Sequence, residues 1–130
     1  MLVEVAKFKM DKLEQIFDKQ TVLYNKLREI DPSLPLLPVN LSSKENQRAF
    51  RHCALDMIEE LMEAIHELKN KSHRQTDMSN YNQEAFREEL VDTATYLIEL
   101  LLLAGYDADK FYADYSKKNA TNHMRIESGY

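Results

Sequence analysis

Two acidic pairs in this 130-residue chain have the residue types and the spacing to do chemistry: Glu60-Leu-Met-Glu63 and Glu89-Leu-Val-Asp92. On a helix, positions i and i+3 are neighbours, so each pair sets two carboxylates on one side. Twenty-five residues separate Glu63 from Glu89, enough to finish one helix, turn and return antiparallel. Facing one another, the pairs would gather four carboxylates that cannot all stay ionised unless cations join them. The set offers oxygen ligands, with no Cys or His in the pattern, which suits Mg²⁺, or Mn²⁺ as a substitute, rather than zinc. Two such ions could hold a polyphosphate and lower the pKa of a bridging water for attack on phosphorus. Taken alone, an E-x-x-E on a helix is more often a solvated acidic face. Two such pairs on consecutive helices, each beside an apolar seam, strengthen the metal reading.

The elements that must position these acids read as helices. Around the run D-M-I-E-E-L-M-E-A-I-H-E-L at 56–68, Ala54, Met57, Ile58, Leu61, Ala64, Ile65 and Leu68 fall on one apolar face. Asp56, Glu60, Glu63 and Glu67 project beside it, where like charges one turn apart repel by roughly a few tenths of a kcal/mol per pair. Ser42-x-x-Glu45 fits a capping box opening this helix, which is expected to end near residue 70. The polar stretch 71–82, with His73 and Arg74 as its cations, is long for a connection in a compact bundle and reads as a loop. The next helix covers about 83–104, with Phe86, Leu90, Val91, Ala94, Leu97, Ile98 and Leu101 as its seam. Leu100, Leu102 and Leu103 make its far end apolar all round, which places that end centrally or at a subunit contact. Glu99 interrupts that run, and a cation across a subunit contact is one partner for it. Gly105 is the expected stop, and Asp107 the N-cap of a last helix whose stripe is Ala108, Phe111, Tyr112, Tyr115, Asn119 and Asn122. A first helix is expected from about residue 5 to residue 30, with Leu13, Ile16, Phe17, Gln20, Leu23, Tyr24, Leu27 and Ile30 at spacings of three and four. Gln20 stands where an apolar residue would pack better. Asp31-Pro32 ends that helix.

No strand pattern occurs, and two glycines and three prolines leave few turn signals for a β fold. The expected fold is all-α, a four-helix core of antiparallel helices forming a single domain over 1–130. A net charge of −5 argues against binding polymeric nucleic acid, which calls for a basic face. Cys53 is the single cysteine, so no disulfide framework or Cys-based zinc site is available, and a cytoplasmic setting fits best. The run at 96–104 is too short to span a bilayer, so no membrane partner is expected.

E-x-x-E followed by E-x-x-D resembles the all-α nucleoside triphosphate pyrophosphohydrolases, the superfamily of the dimeric dUTPases and the MazG-type enzymes. The C-terminal K-K-N-A-T-N-H-M-R-I-E-S-G-Y at 117–130 is similar to the K-N-x-x-N-x-x-R…G-Y ending of the dimeric dUTPase branch, an ending the MazG-type enzymes generally lack. The resemblance runs from Gln20 to Tyr130. It implies that Glu60, Glu63, Glu89 and Asp92 bind Mg²⁺ and that Glu60 or Glu63 activates the attacking water. It also implies that Gln20 and Asn122 read the pyrimidine edge, that Tyr96 lies against the deoxyribose, and that Lys118, Arg125 and Tyr130 hold the phosphates, Arg being suited to forked oxygen contacts. Departures from the family pattern bear on the base pocket. The chain has no tryptophan, Tyr24 stands where relatives often carry an amide, and Ile126 stands in place of a glutamine.

The resulting expectation is Mg²⁺-dependent hydrolysis of dUTP to dUMP and pyrophosphate by a homodimer. A dCTP-directed or broad-specificity (d)NTP pyrophosphohydrolase, and a non-catalytic helical interaction module, are the alternatives.

Overall fold

The computed structural model describes residues 11–69, 71–75 and 78–129, and among them the structure is helical with no strand. Four helices follow in order: α1 (Lys12–Ile30), α2 (Lys44–Glu67), α3 (Gln83–Leu103) and α4 (Ala108–Glu127). A short 3₁₀ turn, Met78–Asn80, precedes α3. Among the described residues, no helix is long and apolar enough to cross a membrane.

Each helix starts on a side chain that accepts one of the otherwise unpaired amide hydrogens of the first turn. Asp11 receives the Glu14 N–H, Asn82 that of Ala85, and Asp107 that of Lys110. For α2 the cap is Ser43, whose hydroxyl receives the Asn46 N–H, and not the Ser42 of the expected capping box. Ser42 is held outside the helix because its N–H and hydroxyl both donate to Asn40 Oδ1. The first helix opens at Lys12, later than expected; residues 5–10 lie outside the described ones. α2 ends at Glu67, and Lys69 then adopts a left-handed φ of 55°. Gly105 stops α3 as expected. At φ 85°, its N–H reaches the Leu102 carbonyl while Tyr106 N–H reaches that of Leu101, the paired arrangement that satisfies a helix's last carbonyls.

α2 and α3 form the principal packed pair, α1 lies on α3, and α4 leans on α1. The core gathers Tyr24, Cys53, Leu100 and Leu103, so the all-apolar end of α3 is central within one chain. Tyr24 is 1% exposed, and its hydroxyl donates to the Pro35 carbonyl at 2.6 Å. Arg28 Nε donates to the Leu34 carbonyl at 2.9 Å. These two bonds strap the connection between α1 and α2 across the end of α1. Against α4, Phe17 meets Phe111, which in turn meets Tyr106 and Tyr115.

One chain covers only part of its apolar stripes. Phe17, Gln20 and Tyr24 of α1 are buried, whereas Ile16, Leu23 and Ile30 are exposed. On α2, Ile58, Leu61, Ile65 and Leu68 remain exposed, as do Leu90 and Leu97 on α3.

Candidate metal and nucleotide site

Packing α2 against α3 brings Glu60, Glu63 and Glu89 together, with one carboxylate oxygen of each within 4.8 Å of the others. Glu60 and Glu89 are half-buried and Glu63 is exposed. The electrostatic consequence falls on Glu89, whose carboxyl is pushed up from 4.5 to about 7. Loss of hydration is the largest cause, followed by the charge and hydrogen bond of Glu63 and then those of Glu60. Three carboxylates at this separation ionise together only against their mutual repulsion, so below about pH 7 a proton on Glu89 relieves the charge that a cation would otherwise offset. The donor set is oxygen alone, without thiol or imidazole, and fits a hard cation of the Mg²⁺ or Mn²⁺ type. Asp92, one turn beyond Glu89, is exposed and stands outside this close set.

Along the same two helices, one turn from Glu60 and Asp92, Asp56 and Tyr96 line a cavity of about 240 Å³. Its other walls include Tyr24, Leu27, Pro35, Cys53, Glu99 and Leu103. Glu99 is 7% exposed, and Cys53 Sγ donates to Glu99 Oε2 at 3.4 Å. Burial raises the Glu99 carboxyl, Asp56 adds to the rise, and the thiol bond opposes it. The Tyr24 hydroxyl is pushed up to about 12, again mainly by burial. Tyr96 is half-buried and is raised by lost hydration and by Asp56 and Glu60. Sequence reasoning assigned no role to Cys53 or to this face of Glu99. The signal it held was a lone carboxylate inside an apolar run.

The close acid set is built from α2 and α3, whereas Gln20 lies on α1 and Lys118, Asn122 and Arg125 lie on α4. α1 runs antiparallel to α3: Tyr24 packs with Leu100 and Leu103, while Phe17 and Thr21 share a cleft with Leu102 and Tyr106. Gln20 is therefore buried near the level of Leu103, which a rise of 1.5 Å per residue puts roughly 20 Å along α3 from Glu89. Lys118, Asn122 and Arg125 sit on the second half of α4, where side chains are exposed except for half-buried Thr121. Tyr130 lies outside the described residues. His52 Nε2 stands 3.8 Å from Asp56 Oδ2, one turn on along α2.

The family model described as dUTPase matches residues 37–130, a span that holds α2, α3, α4 and every expected site residue except Gln20. No curated protein matches the chain, and no solved structure does. A match over most of the chain, on an all-helical fold that brings Glu60, Glu63 and Glu89 together, establishes that the chain belongs to the all-α, MazG-related dUTPase family.

Proposed function

We propose that the protein hydrolyses dUTP to dUMP and pyrophosphate in a Mg²⁺-dependent reaction. The observation that carries the reading is the convergence of Glu60, Glu63 and Glu89 to within 4.8 Å in a chain of the dUTPase family. These three carboxylates would hold the metal, with Asp92 joining them from the next turn of α3. Bound there, Mg²⁺ supplies charge neutralisation for the polyphosphate and acidifies a water. Glu60 or Glu63 takes the proton from the attacking water. The water oxygen bonds to phosphorus, the bridging P–O bond breaks, and pyrophosphate leaves with the electron pair. Tyr96 presents its ring to the deoxyribose, where a 2′-hydroxyl would be crowded. Lys118, Arg125 and Tyr130 hold the phosphates.

The acids lie on α2 and α3, while Lys118 and Arg125 lie on α4, which packs on α1; a homodimer would assemble the full site. The exposed apolar residues of α1, α2 and α3 support it, because contiguous apolar surface of this kind marks an interaction face.

Measuring kcat/KM for dUTP, dCTP and dTTP with Mg²⁺ tests the substrate, since specificity is a ratio of those constants. Preference for dUTP is expected. Equal values would make this a broad pyrophosphohydrolase, and preference for dCTP would move the assignment to that base. Mg²⁺ with nucleotide should also raise the melting temperature of the parent but not of Glu60→Ala, because a ligand that binds only the folded state stabilises it. Absence of that shift in both proteins would favour a non-catalytic module.

A further inference from the structure

The cavity beside the acids has a composition that the family motifs do not account for. Its volume of about 240 Å³ lies below the roughly 300–1,000 Å³ of pockets for drug-sized ligands, and is room enough for a nucleobase. Tyr24, Tyr96, Leu27 and Leu103 give it aromatic and aliphatic walls. Glu99 is the buried carboxyl among its lining residues, Asp31 and Asp56 being less buried, and Cys53 Sγ donates to Oε2 at 3.4 Å. His52 and Asp56, with side chains 79% and 32% exposed, form the rim on α2. The cavity continues from the acid cluster: Asp56 is one turn before Glu60, and Tyr96 one turn after Asp92. A nucleotide with its phosphates at the acids and its sugar on Tyr96 would carry its base into this space.

We propose that this cavity receives the nucleobase and that Glu99 reads the hydrogen-bonding edge of a pyrimidine ring, an inference that rests on the nucleotide-hydrolysing reading of the adjacent acids. A carboxylic acid in its neutral form carries one donor and one acceptor, whereas a carboxylate only accepts. Burial favours the neutral form of Glu99. That donor–acceptor pair matches the O4/N3–H edge of uracil and, with the roles exchanged, the amino/N3 edge of cytosine. Gln20, the amide otherwise expected to read the base, is absent from the cavity walls. Discrimination then depends on how Cys53 fixes the orientation of the carboxyl, and this makes Glu99 the specificity-determining group.

Two variants test the inference. Glu99→Met removes the donor and the acceptor at similar side-chain length, and is expected to change the ratio of kcat/KM for dUTP over dCTP by at least about tenfold, as loss of a matched buried hydrogen bond does. Ala49→Leu narrows the cavity from α2, where Ala49 lines it half-buried. It is expected to raise KM about tenfold with kcat nearly unchanged, since bulk in a base pocket weakens binding more than chemistry. If Glu99→Met fails to fold, Cys53→Ala, which frees the carboxyl to turn, is expected to move the same ratio toward one. An active parent whose folded variants keep its ratio and its KM overturns the inference and leaves the reading of the acids intact. A parent that releases no pyrophosphate from any nucleoside triphosphate overturns that reading, and this inference with it.

Discussion

At the scale of single residues, the account turns on Glu89. Its carboxyl rises from 4.5 to about 7, so the folded protein holds this proton more tightly than the unfolded chain does. The stabilisation is complete below about pH 4.5 and is lost as pH rises to about 7. The melting temperature of the metal-free protein should therefore fall across that window. Adding Mg²⁺ should recover stability above pH 7 and do little at pH 4.5, where the proton already occupies the site. Glu89→Gln should reduce the slope, leaving a smaller one of the same sign from buried Glu99; an unchanged slope would contradict the shared-proton picture. Of the four acids that spacing set on facing helices, Glu60, Glu63 and Glu89 come together and Asp92 stands outside the close set; i, i+3 positions and an antiparallel return account for the first three. The contact between Cys53 and Glu99 was not legible. It depends on the axial register of α2 against α3, which side-chain packing fixes and periodicity does not.

At the scale of elements, caps and stops set where the site-bearing helices begin and end. Ser43→Ala should cost about 1 kcal/mol, the usual loss on removing an N-cap. Ser42→Ala should cost less in urea unfolding, since Ser42 bonds only to exposed Asn40. The reverse order would restore the capping box at Ser42. Both serines fit the N-cap preference, and Glu45 favoured the first; the turn made by Asn40 selected the second. Gly105→Ala should cost about 1 kcal/mol. Nothing lies within 4 Å of the added methyl, so the cost comes from φ 85° alone. That stop and the Asp107 cap were readable because each rests on a residue's own backbone preference and not on a distant partner.

At the scale of the molecule, the α1 stripe shows what one sequence leaves open. Phe17, Gln20 and Tyr24 turn inward while Ile16, Leu23 and Ile30 face out, yet all belong to one run at spacings of three and four. Periodicity cannot say which seam meets the chain's own helices and which meets a second copy. Sedimentation equilibrium should give twice the 15.3 kDa of the chain. Leu23→Asp or Ile65→Asp, placed on the uncovered faces, should yield monomers with activity reduced at least about tenfold, since burying an unpaired charge strongly disfavours assembly. A fully active monomer would show that the site needs no partner. The central claim is tested most directly by incubating the purified protein with dUTP and Mg²⁺ and quantifying the products. dUMP and pyrophosphate are expected in equal amounts, with release stopped by EDTA and by Glu60→Gln; orthophosphate in place of pyrophosphate, or no product from any nucleoside triphosphate, would contradict the proposed reaction.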